Sequence, residues 1–318
     1  MIEKIYIPTY KRVGKQKTFF NLPEKYQDIA TLVVREEEAE LHGDLPITII
    51  DNQVSNVAET REWIAYHAGD IDYVTFDDDL GFRRRFRDIW THVQGDPRHD
   101  EVVNMKKPDS FVEKNPTISD VGWWKFFTMT EKDFDDMFNT IESWFDEGVT
   151  LVGLRMATLP LPRNYFTNNS NVVTTQFYNG SELPRDSIDW TSLPICEDVW
   201  VNMQLLEMGH RNRVSNEFCV TVKPLTYDND EGCNAAGRTI ELNNTMIRKL
   251  QSRWPNYVKV KKNEFKHKRT QDNVEELKID ASQENDDSNE NKEEAKIEEN
   301  VVIQKSQNEI DVVIYFCD

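Results

Sequence analysis

No apolar run in this chain approaches the roughly 18 residues that a bilayer-spanning helix needs, so no membrane-spanning helix is expected. The opening stretch, MIEKIYIPTYKRVGK, has no apolar segment followed by small residues, and no secretory signal is expected. Cysteine is scarce. Cys196, Cys219, Cys233 and Cys317 lie far apart, with no CxxC pair and no zinc spacing. They are expected to be reduced thiols in a cytoplasmic protein. Basic residues are also in the minority, with 38 Lys+Arg against 57 Asp+Glu and a net charge of −19. Such a body does not advertise nucleic-acid binding, which relies on cations that neutralise phosphates. Only a local basic patch could supply it. No internal repeat is present.

The chain does have the material for one sizeable folded unit. It has 318 residues, of which 38% are hydrophobic and 11% aromatic, with eight Trp. The folded unit is expected over residues 1–265. A basic run follows, Lys259 to Arg269, which contains Lys261 and Lys262. Residues 266–300 read as a disordered linker, first basic and then acidic. Between Thr270 and Asn300 there is no aromatic residue to offset chain entropy. Residues 301–318 form a short apolar segment able to add a strand or dock in cis.

Strands and helices alternate within the folded unit. KIYIP (4–8), PITIIDN (46–52), DYVTF (72–76) and VTLVGL (149–154) read as strands. Ser55 is expected to cap a helix that carries Val57, Trp63 and Ile64. From Thr130 to Glu147 the apolar residues Phe134, Met137, Phe138, Ile141, Trp144 and Phe145 mark one buried helical face. Thr130 and Asp133 are spaced as a capping box, and Gly148 ends the helix. Further helices are expected over 197–208 and 239–253. This alternation predicts an α/β fold with a mostly parallel sheet, whose ligands sit at the C-terminal ends of the strands. Asp51 and Asp77 fall at such ends.

Three elements carry chemistry. The first is Asp77-Asp78-Asp79, directly after an apolar strand. Three adjacent carboxylates repel one another, and a divalent cation relieves that repulsion. Magnesium or manganese takes carboxylate oxygens and keeps positions open for phosphate. Acidic residues are abundant here, so a solvated acidic turn is the plain alternative. Asp135 and Asp136, for example, are expected on an exposed helix face. The second element is Glu197-Asp198 at the start of a helix. Helix capping would explain it, and so would a general base for an acceptor hydroxyl. The third is PTYKR (8–12), where Pro8, Tyr10 and Arg12 could hold a base and phosphates. The nearby GKQKT lacks the first Gly and the closing Ser/Thr of a P-loop and is not one.

Together, PTY after the first strand, IIDNQVS (49–55), the DDD triplet and the late ED helix ending in Gly resemble GT-A glycosyltransferases of the family 2 type. The resemblance covers about 1–215. It implies a Rossmann-like GT-A fold, with Asp51 on uracil, Asp77 and Asp79 on ribose and metal, and Asp198 or Glu197 as catalytic base. More narrowly, RVGKQKTF, VVREEE, TREWI and FDDDLGFRRR are similar to the phage glycosyltransferases that accompany TET/JBP oxygenases. That resemblance implies a donor-site role for Arg61, Asp77 and Asp78. YDNDEGCNAAGR (227–238) would match a late element that brings Arg238 near the diphosphate, although Glu231 stands where a second Gly is expected. The implied activity is transfer of a hexose, glucose being the first choice, from a UDP-sugar to a 5-hydroxymethylpyrimidine in double-stranded DNA. The implied metal is Mn2+ or Mg2+, and the implied location is the host cytoplasm.

For that acceptor, Arg83, Arg84, Arg85 and Arg87 would meet phosphates together with Lys261 and Lys262, and Trp123 and Trp124 could stack on an extruded base. The arginines could equally pair with local acids, and the tryptophans could be core. A 5-hydroxymethyl group projects into the major groove, so flipping is not required. His210 and His67 are expected at the surface rather than on a metal. Two alternatives stay open. One is a polysaccharide, lipid or protein acceptor. The other is a non-catalytic nucleotide-sugar-binding scaffold.

Overall fold

The computed structural model describes residues 1–51, 53–105, 123–159, 162–222, 231–235, 237–263, 298–303 and 312–313. The strands are β1 (Lys4–Pro8), β2 (Ala30–Arg35), β3 (Ile47–Ile50), β4 (Tyr73–Phe76), β5 (Gly81–Arg87), β6 (Trp124–Thr128), β7 (Val149–Met156), β8 (Phe166–Asn168), β9 (Thr175–Tyr178) and β10 (Arg211–Thr221). They form one sheet in the order β3-β2-β1-β4-β9-β7-β10-β5-β6, with β8 paired to β10. The β3-β2-β1-β4 half is parallel, as is the β7–β10 pair. β9 joins the two halves by pairing antiparallel with both β4 and β7. The α/β class and the Rossmann-like first half are as expected.

Helices cover both faces. The principal ones are α1 (Lys17–Asn21), α2 (Val57–Ala68), α3 (Pro97–Asn104), α4 (Glu131–Asp146), α5 (Glu197–Glu207) and α6 (Ile240–Arg253). On one face, α4 buries Phe134, Met137, Phe138 and Ile141 against Val74, Phe76, Phe82 and Phe177. Its capping box is present, with Asp133 accepting from the Thr130 amide at 2.8 Å. On the other face, Ile64 and Ala65 of α2 share a core with Val201 and Leu205 of α5 and with Tyr6, Tyr73 and Tyr178 of the sheet. Among the described residues, no helix is long and apolar enough to cross a membrane.

Several readings change. PITIIDN is the third strand, because ATLVVR (30–35) forms β2 ahead of it. The first five residues of β2 are buried, so it carries no alternating signal. The cap of α2 is Asn56, whose side chain accepts from the Glu59 amide at 3.1 Å. Ser55 instead donates to the Glu59 carboxylate at 2.9 Å. β5, β6, β9 and β10 were not expected.

Lys261 and Lys262 lie on Val258–Asn263, which pairs antiparallel with Glu298–Ile303. Their side chains lie outside the described residues, as does most of the expected 266–300 linker. Cys196 and Cys219 are both buried.

Candidate active site

The C-terminal ends of β1, β2, β3 and β4 all open on one side of the sheet, and the three motifs meet there. The DDD turn is held from below by α1. The Thr18 amide donates to the Asp78 carbonyl at 3.1 Å, and the Thr18 hydroxyl donates to the Asp77 carbonyl. The Leu80 amide returns a bond to that hydroxyl at 2.9 Å. Gly81 must follow this turn, because a Cβ there would lie 2.5 Å from Thr221 Oγ1.

The three aspartates differ in environment. Asp78 points inward and is 5% exposed. It accepts from Thr9 Oγ1 at 2.7 Å and from Arg12 Nη1. Burial raises its pKa, with Arg12 and Thr9 opposing. Its carboxylate therefore ties the PTYKR loop to the triplet. Asp79 lies 3.4 Å from the same Arg12 Nη1. The Asp77 side chain is 40% exposed and meets Arg61 Nη2 at 3.2 Å.

Arg61 on α2 is the joint of the site. Its Nε sits 3.0 Å from Glu197 Oε1, an ion pair whose angle falls outside hydrogen-bond geometry. Its Nη1 donates to Gln176 Oε1. One buried guanidinium thus bridges the DDD turn and the ED helix. Burial alone would lower its pKa, but Glu197 and Asp77 hold it charged. Partial burial pushes Asp77 up to about 7, reinforced by Asp79, Asp198 and Glu197 and opposed by Arg61. Asp198 is pushed up to about 6 by burial and by Glu197 beside it, against Arg61. A carboxylate in that range accepts a proton near neutral pH without being fully ionised in acid.

Tyr10, Arg35 and Asp51 line the neighbouring strand ends. The Arg35 guanidinium lies 3.9 Å over the Tyr10 ring, and its Nη2 donates to the Ser55 carbonyl at 2.7 Å. Asp51 is exposed and accepts from the Gln53 amide at 2.9 Å. This aromatic and carboxylate ledge suits a nucleobase. Glu38 fixes the loop from behind by accepting from the Lys11 amide at 2.7 Å. Arg35 and Glu38 were not singled out in the sequence. Both lie in VVREEE, one strand away in space from residues 27 or so positions earlier, a pairing that only the parallel register of β1 and β2 creates.

The late segment also arrives. The Gly232 amide donates to the Tyr10 carbonyl at 2.9 Å, and Glu231 pairs with Lys15. Arg238 lies close enough to lower the Asp198 pKa.

The arginines of β5 differ in burial. Arg84 is buried and surrounded by carboxylates: Glu217 at 2.7 Å, Asp133 at 2.8 Å and Asp136 at 2.7 Å. Arg85 is 0% exposed, against Cys219 Sγ at 3.5 Å and the Phe126 ring at 4.9 Å. Arg87 donates to the Pro162 carbonyl, and burial pushes its pKa down to about 10. These three belong to the interior, which corrects their reading as a phosphate-facing cluster. Arg83 stays partly exposed and bonds Thr128 Oγ1.

His210 contacts Thr150 Oγ1 at 3.1 Å, at the N-terminal ends of β7 and β10 and so opposite the aspartates. His67 stacks on Trp63 at 4.4 Å. Among the described residues, no three His, Cys, Asp or Glu converge as a closed metal cage.

No curated protein matches the chain. The model of the TET-Associated Glycosyltransferase family matches residues 3–230, and the chain belongs to that family of glycosyltransferases.

Proposed function

We propose that this glycosyltransferase moves a hexose from a UDP-sugar to the hydroxyl of a 5-hydroxymethylpyrimidine in DNA, with Mn2+ or Mg2+. The observation that supports the reading is the single guanidinium of Arg61, which pairs with both Asp77 and Glu197 and so draws the DDD turn and the ED helix together. Tyr10 and Asp51 receive the base, while Arg12, Lys15 and Arg238 balance the diphosphate charge. Asp79 and Asp77 are the carboxylates that would hold the cation, which neutralises the departing diphosphate. Asp198 takes the proton of the acceptor hydroxyl as its oxygen bonds to the anomeric carbon. The bond from that carbon to the diphosphate breaks, and UDP leaves with the electron pair. Glu197 and Arg61 keep the Asp198 carboxylate in place.

The test is transfer itself. The protein is incubated with Mn2+, UDP-glucose and DNA containing 5-hydroxymethylcytosine, and the digested nucleosides are weighed by mass spectrometry. A hexose-sized gain that Asp79→Asn abolishes supports the reading. UDP release without gain on DNA rejects the acceptor.

A second reading keeps the chemistry but changes the acceptor to a polysaccharide, lipid or protein. The interior placement of Arg84, Arg85 and Arg87 favours it, because it leaves Arg83 as the accessible cation of that strand. Failure to bind DNA at low salt would select it.

A further inference from the structure

Strain in the backbone marks this site. Among the described residues, four that are not glycine have positive φ: Lys11 (52°), Asn169 (47°), Thr174 (61°) and Cys196 (61°). Asn tolerates that region; the others do not. Lys11 directly precedes Arg12, and Cys196 directly precedes Glu197. Such outliers persist where the surrounding structure over-determines them, and they gather at functional positions. Thr174 has no role so far. It is β-branched, the residue class for which positive φ is least tolerated. It forms the centre of a γ-turn, with the Thr175 amide donating to the Val173 carbonyl at 2.6 Å. With positive φ at its centre, that turn is the rare, strained form.

Its position is specific. The Thr174 carbonyl accepts the Asp77 amide at 3.0 Å, so the turn rests on the DDD element. Two residues on, Gln176 accepts from Arg61, which bridges to Glu197. The short path from Thr174 to Gln176 therefore runs between the diphosphate side and the acceptor side. A sugar being transferred lies between those two, bonded to the diphosphate and attacked from the other side. Among the described residues, Thr174 Oγ1 is buried and finds no hydrogen-bond partner, and neither does Gln176 Nε2. A buried hydroxyl left unpaired is costly, and a ligand hydroxyl would satisfy it.

We propose that Thr174 is a specificity-determining residue whose hydroxyl hydrogen-bonds a hydroxyl of the transferred hexose. This rests on the donor reading above. Its test compares UDP-glucose with UDP, both with Mn2+, by calorimetry on the full chain. Thr174→Val keeps the branching and removes the hydroxyl. Because that hydroxyl finds no partner among the described residues, the variant should keep or raise its Tm. UDP affinity should stay the same, while UDP-glucose affinity falls about 2- to 13-fold. Thr174→Ser should restore it.

An unchanged UDP-glucose to UDP ratio in Thr174→Val overturns the proposal, and so does a lowered Tm, which would give the hydroxyl a structural partner. If the wild-type protein binds neither compound, the donor reading itself fails, and this inference falls with it. That outcome is seen without any variant.

Discussion

Replacing Arg61 with Met removes the cation that bridges Asp77 and Glu197. Arg61 and Glu197 side chains are almost out of water, at 7% and 6% exposure, whereas Asp77 is better solvated. Breaking a buried ion pair from one side costs about 3–5 kcal/mol, and we expect Glu197 to dominate the loss because exposed partners are screened. The loss should depend on pH with a defined sign. Arg61 opposes the upward shifts of both Asp77, at about 7, and Asp198, at about 6. Without it, both folded-state values rise further above their unfolded ones. Groups raised on folding contribute stability below the unfolded pKa and lose it as pH rises through the folded one. The variant's deficit should therefore be largest near pH 8 and shrink towards pH 5. The slope is about 1.4 kcal/mol per pH unit for each extra proton held. Urea unfolding in EDTA, followed by the fluorescence of the eight Trp, measures it at both pH values. A deficit below about 1 kcal/mol, or one that is flat with pH, refutes the bridge.

Three further expectations concern other parts of the molecule. Turnover should rise with pH through about 6 as Asp198 ionises, and Asp198→Asn should lower kcat by about 10²–10⁴ while donor affinity stays near wild type; a steady-state profile that stays flat, or an active Asn variant, removes Asp198 as base. Asp133→Asn should cost about 3 kcal/mol at neutral pH, because Arg98 and Arg84 outweigh burial and hold that carboxylate well below its usual range. Its contribution is complete above the usual carboxylate range and is lost in acid, so wild type and variant should converge as pH falls; parallel curves in acid denaturation would contradict this. If DNA is the acceptor, Arg83→Ala should reduce the salt slope of DNA binding by about one and Arg85→Ala should leave it unchanged, as read by fluorescence anisotropy across a salt series.

What could be read from the sequence follows from what each pattern reports. α4 was legible to within a residue, because six apolar residues on one face and a capping box agree. The strand into Asp77 was legible because YVTF is wholly apolar or β-branched and ends at charge. β2 was invisible as a separate strand because burial on both faces erases alternation. β5 was misread because GFRRRFR looks like a solvated basic patch. What buries Arg84 is Asp133, Asp136 and Glu217, which lie 49 or more positions away in sequence. No local pattern announces such partners. The DDD and ED motifs were visible as residue types, but their joint was not. Arg61 drew notice only through its resemblance motif, and Gln176 and Thr174 sit in a segment, NVVTTQFY, that carries no chemical signature.

The placement of β9 governs when the site can come into being. β1, β2, β3 and β4 all lie within the first 76 residues and can pair with one another early. The strand that joins them to β7 spans Thr175–Tyr178, and the helix bearing Glu197 follows still later. A nascent chain that has emerged only as far as β7 therefore holds its aspartates without Glu197 and Asp198, the buried bridge or the γ-turn. Because those long-range pairings form late and slowly, donor binding should coincide with the final docking of the two sheet halves, not with the folding of the first.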